Sequence, residues 1–377
     1  MNIIIPITKL KKTGGVERYV FEITKCFLNN KHVDDVYIIT SDIDYESIPK
    51  EFLNRVKIVK TKSKGRFFMI EGTIVARKLK KKLKNAVIFT QQGTTLGGDV
   101  VIEHACHLAS IFELNKRIFS KFLRLIYPPH FIAYAVEFYN HNKALKSIAI
   151  SNKIKRDLEK YVLIPSSKIK TVYSGINSKE FSKNEKSRKE IRKNLKLSDK
   201  FVMILVANEF KRKNLITILK AISILKNKDL VLLVAGKDNP AKYKAKANEL
   251  GILDKIIFLG SVRNIQDYFS AADVFVYPTL YGPFDLVVLE SMSIGIPIIT
   301  SNEKFNGVAE IIKDTKNGIL IKNPTDSEEL AKKIEMLYKN PSLRNKISKE
   351  AIKTAKLFTW QKTADNIIKV FRECLKK

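Results

Sequence analysis

Glu290 is a lone carboxylate in a helical run that is otherwise apolar, flanked by Leu289 and Met292. Buried carboxylates are rarely tolerated without a partner. An acid near a helix start is suited to accept hydrogen bonds from the two hydroxyls of a ribose. The surrounding stretch, Tyr277 to Ser301, joins an apolar strand, a Gly282–Pro283 turn, the helix of Glu290 and a second apolar strand. That order presents loop backbone, a helix N-terminus and an acid at one edge of a parallel sheet, where nucleotides bind.

A second cluster is cationic. After an apolar run at Phe201 to Ala207 comes Asn208-Glu209-Phe210-Lys211-Arg212-Lys213-Asn214. Cations at the carboxyl end of a parallel strand face the ligand edge of an open α/β sheet, and Arg supplies bidentate contacts to phosphate oxygens. The same residues also fit a solvated basic loop. Near the start, Thr13-Gly14-Gly15-Val16-Glu17-Arg18 follows a short strand and opens a helix with Tyr19, Val20, Ile23 and Phe27 on one face. Paired glycines let backbone approach a ligand, although the spacing is not the dinucleotide pattern G-x-G-x-x-G. Glu103, His104, Cys106 and His107 cluster past a strand. Their spacing does not make a zinc site, which leaves a polar contact to substrate or a structural histidine. Asp42-Ile43-Asp44 reads as a turn in a polar loop rather than a metal-binding D-x-D.

The elements that must position these residues repeat one rhythm. Ile3 to Ile5, Val36 to Thr40, Val56 to Val59, Val87 to Thr90, Ile148 to Ile150 and Ile169 to Tyr173 are apolar strand runs separated by helical patterns. Continuous apolar strands alternating with helices imply parallel sheets covered on both faces. Ser178 to Lys200 is charged and poor in strand signal, as an interdomain connection would be. The rhythm resumes at Phe201 to Ala207, Leu230 to Ala235, Ile256 to Leu259, Val274 to Tyr277, Ile296 to Thr300 and Ile319 to Ile321. Ser342 to Lys377 reads as one helical segment, long enough to return to the first domain. The expected division is residues 1–180 with 358–377, and 181–357.

At 377 residues and 45% hydrophobic content, the chain has the material for two cores. Three cysteines are too few for a disulfide framework. The N-terminus reads as a strand rather than a signal peptide and no run reaches membrane-span length, so a cytoplasmic protein is expected. The net charge of +31 is spread over both halves, but Arg55 to Lys84 is a local patch, with twelve Lys or Arg against Glu71 alone. In it, Arg66, Phe67 and Phe68 set apolar bulk beside a cation, and Lys80, Lys81 and Lys82 follow, in the manner of a membrane-surface segment. Lys116 to Tyr127, read as a helix, puts Phe119, Phe122, Leu123 and Ile126 opposite Arg117, Lys121 and Arg124. It is either a second membrane-facing helix or an ordinary surface helix of a basic protein. Nucleic-acid signatures are lacking, so an anionic membrane surface is the expected polyanionic partner.

Together these residues resemble glycosyltransferase family 4, over essentially the whole chain. The resemblance rests on an ordered set: the Gly-Gly-x-Glu-Arg opening, Ala149-Ile150-Ser151, Val172-Tyr173-Ser174-Gly175-Ile176-Asn177, Ala271-Ala272-Asp273, and Gly295-Ile296-Pro297-Ile298-Ile299-Thr300. Asn208 to Lys213 paired with Asp99 to His107 is most similar to the lipopolysaccharide-core glucosyltransferase branch. The resemblance implies the GT-B fold: two Rossmann-like α/β domains with parallel sheets facing each other across a cleft, and a C-terminal helix returning to the first. It implies retaining transfer of a hexose from a nucleotide-sugar, a UDP-sugar, to a lipid-linked or lipopolysaccharide-type glycan, with no metal or cofactor. Arg212 and Lys213 would neutralise the departing diphosphate, and Glu290 would hold the ribose. Gly14 and Gly15 would let a loop close over the phosphates, and His107 would lie near acceptor or donor sugar. Asn306, Gly307 and Val308 would border the donor, along with the loop of Gly282, Phe284 and Leu286. The family's E-x7-E motif would put an acid at Gly282. Asp285 substitutes for it only with a rearranged loop. A nucleotide-sugar 2-epimerase of the same fold, or a degenerate nucleotide-sugar-binding protein, are the alternatives. Peripheral attachment to the inner face of the cell membrane would suit the basic patch.

Overall fold

The structure, a computed structural model, describes residues 1–114 and 127–376. It divides into two compact units, Met1–Gly175 with Trp360–Lys377, and Ile176–Thr359. The division falls at Gly175 because Ile176 already belongs to the second unit: its N–H donates to the Phe358 carbonyl at 3.0 Å.

In the first unit the strands are β1 (Asn2–Pro6), β2 (Lys9–Leu10), β3 (Val36–Thr40), β4 (Asp42–Ile43), β5 (Lys57–Lys60), β6 (Ala86–Gln91), β7 (Val100–Glu103), β8 (Lys146–Ala149) and β9 (Ile169–Thr171). They form a parallel sheet in the order β5-β3-β1-β6-β7-β8-β9, with β2 and β4 paired beside it. The chain runs outward from β1 to β5, then returns to β6 on the other side of β1, so the order reverses between β1 and β6. Ligands of open α/β sheets bind at the carboxyl ends of the strands at such a reversal.

Three local expectations are revised. Asp42 and Ile43 are not a turn: they pair with Lys9 and Leu10, and Lys9 Nζ meets Asp42 at 2.8 Å. Strand β7 is absent from the apolar runs expected above, because its three apolar residues sit between Gly97-Gly98-Asp99 and Glu103-His104, which read as a polar loop. The C-terminal segment is two helices, Pro341–Ala355 and Trp360–Leu375. They separate where Phe358 gives its carbonyl to Ile176 and Thr359 bridges the same residue. The last helix buries Trp360, Ile367 and Phe371; Trp360 packs on Tyr19 of the helix Val16–Leu28, and Phe371 on Phe27 and Phe89. It therefore belongs to the first unit, as a return helix should.

The second unit holds β10 (Phe201–Val206), β11 (Leu230–Ala235), β12 (Ile256–Gly260), β13 (Val274–Tyr277), β14 (Ile298–Ser301) and β15 (Ile319–Ile321). Their parallel order, β12-β11-β10-β13-β14-β15, reverses between β10 and β13. The polar run after Ser178 is not a free connection. Its helix Glu185–Asn194 sends Arg188 and Arg192 to Asp273, at 2.6 and 3.2 Å, and Asp273 also accepts the Val202 N–H at 2.8 Å. One carboxylate thus ties the first helix of the unit to β10.

The loop after β11 passes close to the loop after β10. Gly236 has φ +148°, donates to the Gly260 carbonyl, and has no room for a Cβ, which would stand 1.7 Å from the Ala207 carbonyl oxygen. Gly236→Ala should therefore force the two loops apart and destabilise the chain by about 2–3 kcal/mol. Urea unfolding monitored by circular dichroism checks this.

Candidate active site

Lys213 and Asp285 meet where the second sheet reverses. Lys213 ends the loop after β10, and Asp285 ends the loop after β13, at the cap position of the helix Leu286–Ile294. The lysine Nζ contacts both carboxylate oxygens, at 2.8 and 2.7 Å, and lies 4.7 Å from the centre of the Tyr277 ring. The lysine side chain is 4% exposed and the carboxylate 12%. Burial pulls the Lys213 pKa down to about 8, against the attraction of Asp285. Burial and Asp285 push the Tyr277 hydroxyl well up.

Arg212 zips the two loops together. Its carbonyl accepts the Leu280 N–H at 2.9 Å and its Nη1 donates to the Tyr281 carbonyl at 2.7 Å. Its other edge donates to Glu209 at 3.1 and 2.9 Å. Burial works against its charge, but Asp285 and Glu209 outweigh that and keep the guanidinium firmly protonated. Gly282 joins a third loop: its N–H donates to the Phe305 carbonyl and its carbonyl accepts the Gly307 N–H, both at 2.7 Å. Asn306 is buried between them, with Nδ2 on Thr300 and Oδ1 on the Val308 N–H. Phe284 is buried under the loop, and Leu286 opens the helix whose inner face carries Glu290, itself 5% exposed. Arg212, Lys213, Gly282, Asp285, Asn306, Gly307 and Val308 are therefore gathered at one sheet edge. Two fixed cations, loop N–H groups and a helix start can together hold a diphosphate.

The first unit has its own cavity, of about 670 Å³, at the reversal between β1 and β6. Thr8, Gln92 and Thr94 come from the ends of those two strands. Met69, Ile132 and Val136 form an apolar wall, and Lys9, Arg66 and His107 supply polarity. His107 N–H donates to Glu137 at 2.9 Å, and its Nε2 faces His130 Nδ1 at 3.1 Å. Burial and the neighbouring His130 lower the His107 pKa, and burial raises Glu137 to about 8. The other residues of the histidine cluster go elsewhere. His104 faces Gln91 and the Tyr19 ring, while Glu103 pairs with His141, both favoured in uncharged form by burial. Among the described residues, no group of three or more His, Cys, Asp or Glu is placed to hold a metal. Gly14 and Gly15 are exposed in the first unit, Gly14 at φ +102° and Gly15 at the cap of the helix Val16–Leu28. Sequence reasoning missed Glu137 and His130. Glu137 carries the same signal as Glu290, one acid in the apolar run Ile132-Ala133-Tyr134-Ala135-Val136.

The residues expected to face a membrane divide. On the helix Gly65–Lys82, Phe67 is 74% exposed and Ile70 and Ile74 continue its stripe. Phe68 is corrected: it is fully buried against Ile4, Ile39 and Ile88, because positions 68, 72 and 76 form the inner face. Lys80 is tied to Asp99, whereas Arg66, Lys81 and Lys82 are exposed. Arg117, Lys121 and Arg124 lie outside the described residues.

A two-unit α/β chain with a fixed cationic edge in one unit and a cavity in the other has the parts of a glycosyltransferase. The chain belongs to the group 1 and family 4 glycosyltransferases, of GT-B fold: the model described as Glycosyltransferase Family 4 matches residues 13–180, and that described as Glycosyl transferases group 1 matches 186–354. It is 25% identical to the uncharacterized glycosyltransferase MJ1607 of Methanocaldococcus jannaschii, over 95% of this chain and 94% of that one. It is 28% identical to an Escherichia coli UDP-Gal:alpha-D-GlcNAc-diphosphoundecaprenol alpha-1,3-galactosyltransferase, over 68% of each. The crystal structure of WaaG, a glycosyltransferase of lipopolysaccharide biosynthesis, superposes with a TM-score of 0.79 at 18% identity, covering 98% of this chain and 99% of that one.

The lysine titration is directly measurable. Lys213 should titrate near 8 in NMR of the protein carrying ¹³C-labelled lysine, and Asp285→Asn, which removes the partner raising it, should move the midpoint lower.

Proposed function

We propose that this glycosyltransferase moves a hexose from a UDP-sugar to a lipid-linked or lipopolysaccharide-type glycan, with retention of configuration and without a metal ion. The observation that carries the reading is the fixed Arg212–Lys213 pair at the reversal of the second sheet. When the bond from the anomeric carbon to the diphosphate oxygen breaks, negative charge grows on the diphosphate. Two preorganised cations in a buried site stabilise that charge, the task a metal performs elsewhere. The acceptor hydroxyl oxygen forms the new bond to the anomeric carbon on the face the diphosphate leaves, and its proton passes to the departing diphosphate oxygen, which is released as UDP. Glu290, buried one turn into the helix, is assigned to the ribose hydroxyls. Asn306, Gly307 and Val308, whose loop is stitched to Gly282, border the donor.

The first-unit cavity is assigned to the acceptor, with Arg66 and Lys9 for an anionic group and Met69, Ile132 and Val136 for an apolar part. The name of the diphosphoundecaprenol galactosyltransferase supports both a UDP donor and a lipid-linked acceptor. An inner-leaflet position suits the exposed stripe of Phe67, Ile70 and Ile74 beside Arg66, Lys78, Lys81 and Lys82. Basic residues near an anionic surface contribute about 1 kcal/mol each. Among the described residues, no helix is long and apolar enough to cross a membrane.

Arg212→Ala with Lys213→Ala should lower donor-dependent UDP release by at least about a thousandfold, as loss of two charge-stabilising groups would; unchanged release removes the assignment. Sedimentation with anionic liposomes should fall steeply between low and high salt, and Phe67→Ser should weaken it further.

A further inference from the structure

His107 is gripped at two points by one helix. Its N–H opens the helix His107–Leu114, and that first donor is taken at 2.9 Å by Glu137, which stands on another helix, Pro128–Lys143. A carboxyl from outside thus accepts where a capping side chain ordinarily would. His130, about two turns before Glu137 on the same helix, brings its Nδ1 to 3.1 Å from His107 Nε2. Ser110 Oγ donates to the His107 carbonyl at 2.7 Å, so the backbone is fixed and His130 fixes the ring. Of these residues, His107 and Glu137 line the first-unit cavity and His130 does not. Any effect of His130 on a ligand there passes through His107.

Two imidazole nitrogens at this distance need one N–H between them, so one ring donates and the other accepts. Burial and the neighbouring His130 both lower the His107 pKa, which favours the neutral ring. A neutral histidine side chain keeps its proton on Nε2 unless Nδ1 meets an acceptor. Among the described residues, nothing accepts from His107 Nδ1 and no carboxylate pairs with either ring; Tyr127 packs on the far side of the pair, its ring 5.7 Å from that of His130. Lys9 and Arg66 are the cations lining the same cavity, and Lys9 is already paired with Asp42. The consistent arrangement has both rings in the Nε2–H form. His107 then donates from Nε2 to His130 Nδ1 and keeps a bare lone pair on its own Nδ1.

Resting on the acceptor reading of this cavity, we propose that His130 is a positioning residue: it accepts the His107 Nε2–H and so presents His107 Nδ1 as a fixed acceptor for a hydroxyl of the bound ligand. The chemistry that fits is an uncharged pyranose. Its hydroxyl meets Nδ1 while its C–H face lies on Met69, Ile132 and Val136. The contact orients the sugar and moves no proton. Protonation of His107 turns Nδ1 into a donor and removes the acceptor.

The test is NMR of the full chain carrying ¹⁵N-labelled histidine, its five histidines assigned by single substitutions. His107 should show a protonated Nε2 and a bare Nδ1. His130→Phe should lose that single tautomer and should titrate His107 at higher pH, because one of the two causes lowering its pKa is gone. His130→Asn, whose amide oxygen accepts where Nδ1 did, should restore the tautomer. Butyl glucoside, butyl galactoside and butyl N-acetylglucosaminide are the ligand probes, with the Met69 methyl signal reporting that the cavity is filled. A glycoside that binds should shift His107 Nδ1. Its affinity should fall about fivefold in His130→Phe, the worth of one hydrogen bond, and less than about twofold in His130→Asn. A His107 proton on Nδ1 in the intact protein overturns the inference. So does a tautomer unmoved by His130→Phe, an equal affinity loss in the two variants, or glycoside binding that leaves His107 Nδ1 unshifted, and each of these leaves the acceptor reading standing. Binding of none of the three glycosides removes the acceptor reading, and this inference with it.

Discussion

The second unit is organised around one buried contact, the Lys213 ammonium on the Asp285 carboxylate. Neither ion is tolerable there alone. Removing one partner of a buried pair leaves an uncompensated charge at a cost of about 3–5 kcal/mol, while the intact pair yields little net stability. Such a pair is weak evidence for a stabilising role and better evidence for a site. Much of the local architecture follows from keeping it. Gly282 gives up its side chain to make room, Asp285 gives up its capping role, and Arg212 binds the two loops at the right separation through the Tyr281 carbonyl. Under the proposed function, an incoming diphosphate would meet a cation that is already desolvated and held in place.

The two units solve the same positioning problem in the same way. In each, a parallel sheet leaves and returns to its first strand, and the loops on either side of that reversal carry the polar residues. In the first unit the loops after β1 and β6 border a cavity that mixes cations with an apolar wall. In the second the loops after β10 and β13 carry cations, a carboxylate and backbone donors. The chemistry differs because the loops differ, while the sheets that hold them are interchangeable in design.

Most strands were legible in the sequence because parallel strands are buried on both faces and read as continuous apolar runs. β7 escaped because its three apolar residues are enclosed by Gly97-Gly98-Asp99 and the polar Glu103-His104, which read as a loop. The final helix break was invisible for another reason: nothing in Leu357-Phe358-Thr359 opposes a helix, and the break is made by Ile176, far away in sequence. The placement of Arg212 and Lys213 after a strand and of Glu290 in an apolar helix was legible in the sequence; their roles remain proposals. The use of Phe68 was misread, because a cation-flanked aromatic looks alike on either face of a helix until the inner stripe is known. The link between Gly282 and Asp285 was raised by the resemblance, on condition of a rearranged loop. What spacing cannot show is the partner that holds the carboxylate turned back across three residues, Lys213, which lies far away in sequence.

A crystal structure of the protein with an intact UDP-sugar bound is the most direct test of the account. It predicts diphosphate oxygens within ~3 Å of Arg212 and Lys213 and the ribose hydroxyls at Glu290, with no metal ion bridging the phosphates. Nucleotide bound away from the β10–β13 reversal, or a metal carrying the diphosphate while Lys213 stays on Asp285, would contradict it.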